Sequence, residues 1–426
     1  MRGARSLPPP GAILFLVCLA LPCVVRASDW PGWRGPAGTG WTDEKDLPLT
    51  WNGKTGEGVA WRVTLPNATG HSSPIVWGDR VFVTTAVKQT QPQEAAREVP
   101  EHHLCCFQAA DGKLLWRTPI PPGKMPAGYA IDAVPTPVTD GQAVYCWFGS
   151  AVMAALDFEG KLLWRKEREG GFLKDAGLLN PGICSSPVLY QDTVILLFDQ
   201  GKGQGLLQGL DKKTGEVKWE QKRAKSGYNN STPLLLDVKG KAQLVVAGSE
   251  ALQGLNPATG EPVWWCKSWG FGPSPVYGVG LVYADKGGNE PGVAADPAGE
   301  GDVTKTHVKW QNPKVPGEYA SPVISGEYLY RTHKPDKVTC WKLATGEQVF
   351  SEKLAGVSVF ASPIVTADGR VYFISAEKSH VIKAGPALEV LATNTLGGGM
   401  NGSSPAVSNG RIFVRDHEFL YCLGKK

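Results

Sequence analysis

"LDKKTGEVKW", Leu210–Trp219, decides the fold because it recurs. "AADGKLLW" ends at Trp116, "LDFEGKLLW" at Trp164, "LNPATGEPVW" at Trp264 and "LATGEQVF" at Phe350, and in each an aromatic follows a glycine by four residues. The Asp-x-x-Thr-Gly turn is a hairpin signal, with Gly215 free to take the positive φ the turn needs. The aromatic then falls on the strand after the turn, where a large flat side chain can pack on a neighbour. Repetition of both implies a repeat architecture in which every unit makes the same joint to the next.

A second marker precedes each unit: a proline opening an apolar strand, usually after serine or threonine. It occurs at Pro74, Pro137, Pro187, Pro233, Pro275, Pro322, Pro363 and Pro405, with spacings of 63, 50, 46, 42, 47, 41 and 42 residues. A period in the forties holding about four short strands is the signature of a propeller blade. Proline suits the first residue of a strand, where a missing N–H costs least. Blade 3 reads as "PVLY", "TVILLF", "LLQGLD" and "EVKWEQ". After Pro405 only three strands fit before Lys426, and "VAWRVTLP" (59–66) supplies the fourth. The expectation is an all-β, eight-bladed β-propeller of four-stranded antiparallel blades, spanning 59–426, its last blade closed by an N-terminal strand. The inter-blade aromatics are Trp61, Trp116, Trp164, Trp219, Trp264, Trp310 and Phe350. "KQTQPQEAAREVPEHH" (88–103) accounts for the long first spacing as an insertion in blade 1, read as a polar loop.

Residues 1–27 read as a signal peptide: Arg2 and Arg5, an apolar run "AILFLVCLALPCVV", then "VRA" before the cut. Residues 28–58 are an N-terminal extension. Removing the leader takes away Arg2, Arg5 and Arg26 and no acid, so the net charge falls from +4 to +1. A near-neutral chain of mixed charge lacks the basic face that nucleic acid requires. Seven cysteines remain: Cys105, Cys106, Cys146, Cys184, Cys266, Cys340 and Cys422. Their spacing is no disulfide framework, zinc ribbon or haem-attachment motif. Aligned third strands place Cys106, Ala155, Gly209, Gly254, Cys340 and Cys422 at one position, so these cysteines read as small buried hydrophobes. Cys105 and Cys106 are neighbours on a strand, point to opposite faces and read as two thiols.

The proline marker together with Asp-x-x-Thr-Gly-x-x-x-Trp resembles the pyrroloquinoline-quinone (PQQ) type β-propeller repeat over Val59 to Gly424. That family includes quinoprotein alcohol dehydrogenases and the propeller lipoprotein of the bacterial outer-membrane assembly machinery. "DWPGWRGPAGTGW" (29–41), "HSSPIVWGDRVFVTTA", "THVKW" and "VIKAGPALEVLATNTLG" are similar to secreted bacterial PQQ-like propellers. For the dehydrogenases the resemblance implies PQQ and calcium, a vicinal disulfide, a catalytic Asp, and Glu, Asn and Asp calcium ligands. Here the vicinal cysteines fall on a blade strand, and no other position matches those residues.

Segments before each innermost strand, and loops between second and third strands, emerge together around the channel mouth, the usual concave site. The first set holds His71, Asp132, Asn180, Asn229, Asn230, Trp269, Tyr319, Phe360 and Asn401. The second adds Asp199, Glu250, Asp285, Lys286, His333, Lys334, Glu377, Asp416, His417 and Glu418. Amides and aromatic faces suit a sugar, a peptide or a flat polar ligand; oxygen donors could also hold calcium. No catalytic constellation or metal site is assigned, and no cofactor is firmly predicted, with PQQ and calcium as the pair to test. The expectation is a monomeric periplasmic or extracellular binding or scaffolding module with an envelope or extracellular protein, or a glycan, as partner, and no transmembrane helix once the leader is cut. The alternatives are a PQQ- and calcium-dependent quinoprotein oxidoreductase and a carbohydrate-binding or carbohydrate-processing propeller.

Overall fold

A computed structural model describes residues 29–65, 70–87, 101–123, 133–168, 183–199, 205–223, 225–227, 229–248, 250–270, 272–287, 290–315, 318–399 and 402–425. Short alternating or fully apolar runs cut by Gly, Asp and Pro form strands throughout, and they assemble into eight four-stranded antiparallel blades. Blade 3 runs Val188–Tyr190, Thr193–Phe198, Gly205–Asp211 and Val217–Arg223, each strand paired with the next. Blade 8 consists of Ala406–Ser408, Arg411–Arg415 and Phe419–Leu423, and Val59–Thr64 closes it as the outer strand. The insertion in blade 1 is shorter than the sequence suggests: Glu101–Gln108 is one strand, so His102 and His103 belong to the blade. Residues 88–100 lie outside the described set. The core lies between blades, as in the cluster joining Phe82 and Leu104 of blade 1 to Val144 and Leu156 of blade 2.

Each turn glycine lies against the preceding blade's tryptophan. A Cβ added to Gly112, Gly160, Gly215, Gly260 or Gly346 would come within 2.6–2.7 Å of the indole of Trp61, Trp116, Trp164, Trp219 or Trp310 respectively. Four of those indoles also donate Nε1–H into the neighbouring turn, to the carbonyls of Ala109, Phe158, Lys212 and Leu343, at 2.6–3.0 Å. Because Trp61 rests on blade 1, the joint that closes the ring uses the same glycine–indole contact as four of the others. The small third-strand residue is explained too. Cys106, Ala155, Gly209, Gly254, Cys340 and Cys422 pair directly with the blade's own aromatic, at a bulge, where a larger side chain would meet the ring.

Three joints differ. Trp264 donates to Gln243, which donates to Pro297 of blade 5, while Gly301–Asp302 adds a parallel fifth strand to blade 4. Phe350 has no N–H, and the Tyr330 hydroxyl instead bonds the Gly385 carbonyl of blade 7 at 3.2 Å. Blade 7 has no aromatic on its outer strand, and Leu47 and Trp51 from the N-terminal extension are buried in that joint. Asn394 holds this segment through the Leu49 carbonyl and the Trp51 N–H.

The serine or threonine before every marker proline forms a closed ring about the axis. Each backbone N–H donates to the hydroxyl oxygen of the next blade, through Ser73, Thr136, Ser186, Thr232, Ser274, Ser321, Ser362, Ser404 and back to Ser73, at 2.9–3.0 Å. Proline keeps the preceding residue extended, which fixes the geometry of each donor. Ser321→Ala removes one acceptor and strands the buried Ser274 N–H, so a loss of about 1–3 kcal/mol in urea unfolding is expected. Ser321→Thr keeps the hydroxyl and should retain most of that stability.

The extension 29–58 crosses the face opposite the mouth. Trp30 bridges Val76 of blade 1, Trp33 Nε1 donates to the ring hydroxyl of Ser274, Arg34 donates to the Pro322 carbonyl at 2.6 Å, and Trp41–Thr42 pairs in parallel with blade 7. Burial and the nearby Arg331 push the Arg34 guanidinium down to about 9. "WPGWRGP" is thus an axial plug. A cleft of about 320 Å³ remains between it and the first strands of blades 2–4.

Candidate functional site at the channel mouth

Above the hydroxyl ring, the segments before the inner strands meet the second-to-third-strand loops, and buried arginines tie them together. Arg331, on Tyr328–His333, grips Asp285 with Nε–Oδ2 at 3.1 Å and Nη2–Oδ1 at 3.0 Å. The same guanidinium donates to the carbonyls of Ala320 and Glu318, which bracket Tyr319. Arg223 pairs with buried Asp199 and donates to Gln253, while Asn229 Nδ2 also reaches Asp199. Burial raises the Asp199 carboxyl despite Arg223 and Asn229. At the equivalent place in blade 8, Arg415 donates to the Thr84 and Asp416 carbonyls. Asp416 caps its own turn through the Glu418 and Phe419 N–H groups and accepts the Tyr421 hydroxyl at 2.9 Å.

The sequence-predicted residues divide by environment. Asn229 is buried and internal, accepting the Ser231 N–H. Asn230 and Trp269 are half-buried, with the Lys267 ammonium 5.4 Å from the Trp269 ring centroid. Tyr319 and Phe360 are 47% and 42% exposed and stack with centroids 5.6 Å apart and planes 10° from parallel. Their segments are joined by the N–H groups of Tyr319 and Ala320 donating to the Val359 carbonyl. His333 is buried and its Nε2 lies 2.7 Å from the Thr339 hydroxyl; Lys334 pairs with Glu318 at 2.8 Å. Glu250 and Glu377 are exposed, and Lys286 faces Glu290 at 3.5 Å. Asp132, Asn180 and Asn401 lie outside the described residues.

His71 stacks edge-on against His417 at 4.9 Å. Burial, His417 and Arg415 push it down to about 4, so it is neutral in the folded protein at any ordinary pH. An unfolded histidine titrates near 6.5, so its contribution is complete above about 6.5 and lost as pH falls towards 4, about 2–3 kcal/mol in all. His103, His333, His380 and His417 are also lowered, chiefly by burial, and act in the same sense. Melting temperature followed from pH 7.5 to 4.5 should fall more steeply for the wild type than for His71→Gln. Equal slopes would contradict a buried neutral imidazole.

Calcium with PQQ demands free carboxylate and amide oxygens and, in the dehydrogenases the sequence resembles, a vicinal disulfide. Here Asp199 and Asp285 are committed to arginines, Asp416 to a turn and a tyrosine, and Asn229 to backbone and Asp199. Cys105 and Cys106 are separate buried thiols on a strand, both raised by burial. These residues do not fit the cofactor pair.

Arg223, Arg331 and Arg415 escaped the sequence reading. Arg223 ends a mostly exposed strand and carried no signal. For Arg331 and Arg415 the available signal was an arginine inside an otherwise buried strand, "YLYRTH" and "RIFVRD". Such a residue must find a buried partner.

The fold and mouth define an eight-bladed propeller built from PQQ-type repeats. The family model described as outer membrane protein assembly factor BamB matches residues 100–270 and 293–387, more than half of the chain, and the chain belongs to that family. No curated protein matches the sequence. Among solved structures, BamB from Moraxella catarrhalis is similar at a TM-score of 0.59 and 14% identity, covering 86% of this chain and 96% of that one. A europium-containing methanol dehydrogenase is similar at 0.66 and 13%, covering 91% and 90%. The computationally designed Ika8 protein is similar at 0.58 and 11%, covering 86% and 99%. At these identities the likeness is one of fold.

Proposed function

We propose that the protein is a binding or scaffolding module of the cell envelope or extracellular space, acting as a monomer through its channel mouth. The observation that carries this reading is the division of labour there: the buried carboxylates Asp199 and Asp285 are held by buried arginines, while Tyr319 and Phe360 stand exposed. A redox centre would need the reverse, with charge presented and aromatics packed around a cofactor. Family membership supports an envelope setting, since the family is described by an assembly factor of outer-membrane proteins. The leader-like residues 1–27 support export, which fractionation of cells expressing the full chain tests. A photo-crosslinking amino acid in place of Phe360 should capture a partner in the native envelope, and one in place of exposed Glu352 on the outer strand of blade 6 should not. Saturable uptake of PQQ with calcium, followed by alcohol oxidation with an artificial electron acceptor, would replace this reading with the oxidoreductase.

A further inference from the structure

We infer that the ligand of the mouth is a neutral oligosaccharide, seated on the Tyr319–Phe360 shelf between blades 6 and 7. The inference rests on the binding-module reading and names its ligand class. Two large rings, each more than two-fifths exposed and only 10° from parallel, form a stepped platform. Their exposure contrasts with the inter-blade aromatics nearby, where Trp264 is fully buried and Phe350 is 8% exposed. The shelf is held rigidly. Val359 binds the N–H groups of Tyr319 and Ala320, Arg331 fixes the carbonyls on either side of Tyr319, and Ser358 accepts the N–H groups of Phe360 and Ala361. Gly272 allows Tyr319 to lie where it does, since an added Cβ would stand 3.1 Å from its ring. Such a shelf is ordered before any ligand arrives, which lowers the cost of binding.

The chemistry of a sugar matches this surface on both of its sides. The axial C–H face of a pyranose is apolar and flat, and it covers an aromatic ring without needing a pocket. Its edge carries hydroxyls that both donate and accept. Beside Tyr319 the Glu318–Lys334 pair offers both functions, an acceptor carboxylate and an ammonium on a side chain 63% exposed, in a net-neutral unit. Because this pair is net-neutral, it offers an anionic glycan no unopposed cation. A proline-rich peptide would want a groove between aromatics, and near-parallel rings leave none. A protein interface would want a larger continuous apolar patch than these two rings.

The test is calorimetric titration of the full mature chain with cellohexaose, xylohexaose, mannohexaose and laminarihexaose, with glucuronic-acid oligomers as the charged comparison. Saturable binding of at least one neutral hexamer is expected. Tyr319→Ala and Phe360→Ala should each weaken it about tenfold or more, from lost aromatic contact area. Phe360→Tyr keeps a ring and should bind within a few-fold of wild type. Both positions are exposed, so the variants should fold, which an unchanged melting temperature verifies. Failure of every neutral hexamer to bind, binding indifferent to both alanine variants, or preference for the charged oligomer would overturn the assignment. If the sugars fail while crosslinking through Phe360 captures a protein, the module reading stands and the sugar assignment falls. Turnover with PQQ and calcium would remove both.

Discussion

Replacing Gly215 with valine is expected to destabilise the propeller by about 3–5 kcal/mol, combining a β-branched residue at positive φ with overpacking. Gly215 has φ 70° and its added Cβ would stand 2.7 Å from the Trp164 ring of the preceding blade. The informative comparison is Gly240→Val. Gly240 has φ 81° with nothing near its Cβ, so it carries the backbone penalty without the collision. Urea unfolding should therefore place Gly215→Val well below Gly240→Val. Equal losses would mean that the repeated glycine serves only its turn and not the joint between blades. Trp164→Phe adds a second measure, because it keeps much of the ring and loses the Nε1 bond to the Lys212 carbonyl, for about 1 kcal/mol.

Arg331→Met is expected to cost about 3–5 kcal/mol, because it leaves Asp285 buried without its partner. Both side chains are fully buried, so solvent offers neither a substitute. Substituting both, as Asp285→Leu with Arg331→Met, should recover most of that loss, since apolar replacement of a buried ion pair is often close to neutral. The recovery should be incomplete by the bonds from Arg331 to the Ala320 and Glu318 carbonyls. That remainder has a functional reading. Those carbonyls bracket Tyr319, so the double variant should fold yet hold the aromatic shelf less firmly. Hydrogen exchange of the Ala320 amide should rise in it relative to wild type. A double variant as unstable as Arg331→Met alone would mean that the carbonyl bonds, rather than the charge, carry the arginine's contribution.

Legibility in the sequence followed the range of the interaction. The turn glycine and the aromatic four residues later are local, so their repetition was plain, and the closing strand Val59–Thr64 followed from counting strands at the two ends. The small third-strand residue was visible as a pattern, but its cause was not. Only pairing showed that Cys106, Gly209 and their counterparts lie opposite the blade's own ring. Serine or threonine before each proline was likewise noticed, and its purpose was missed. Each hydroxyl serves an N–H in the preceding blade, some forty to sixty residues away along the chain and 331 at the seam, so no local rule could connect them.

The mouth was least legible. Asn229, Tyr319 and Phe360 share a position before an inner strand, which placed them at one end of the channel. Position could not say that Asn229 would be enclosed beside Asp199 while the two rings stayed in water. That difference depends on which neighbours reach each residue: Arg223 binds Asp199 and reaches Gln253 of blade 4, and Arg331 holds the backbone on either side of Tyr319. The N-terminal extension shows the same division. "WPGWRGP" was recognisable as a motif, but its place across the axis depends on contacts from blade 1 to blade 7 that no spacing along the chain encodes. By itself the sequence determined the number of blades, the strands within each and the seam where the ring closes, because these are set by turn chemistry and a period repeated within about fifty residues. The tertiary structure alone decided which mouth residues are neutralised and which remain open, because burial and charge pairing depend on distances between blades.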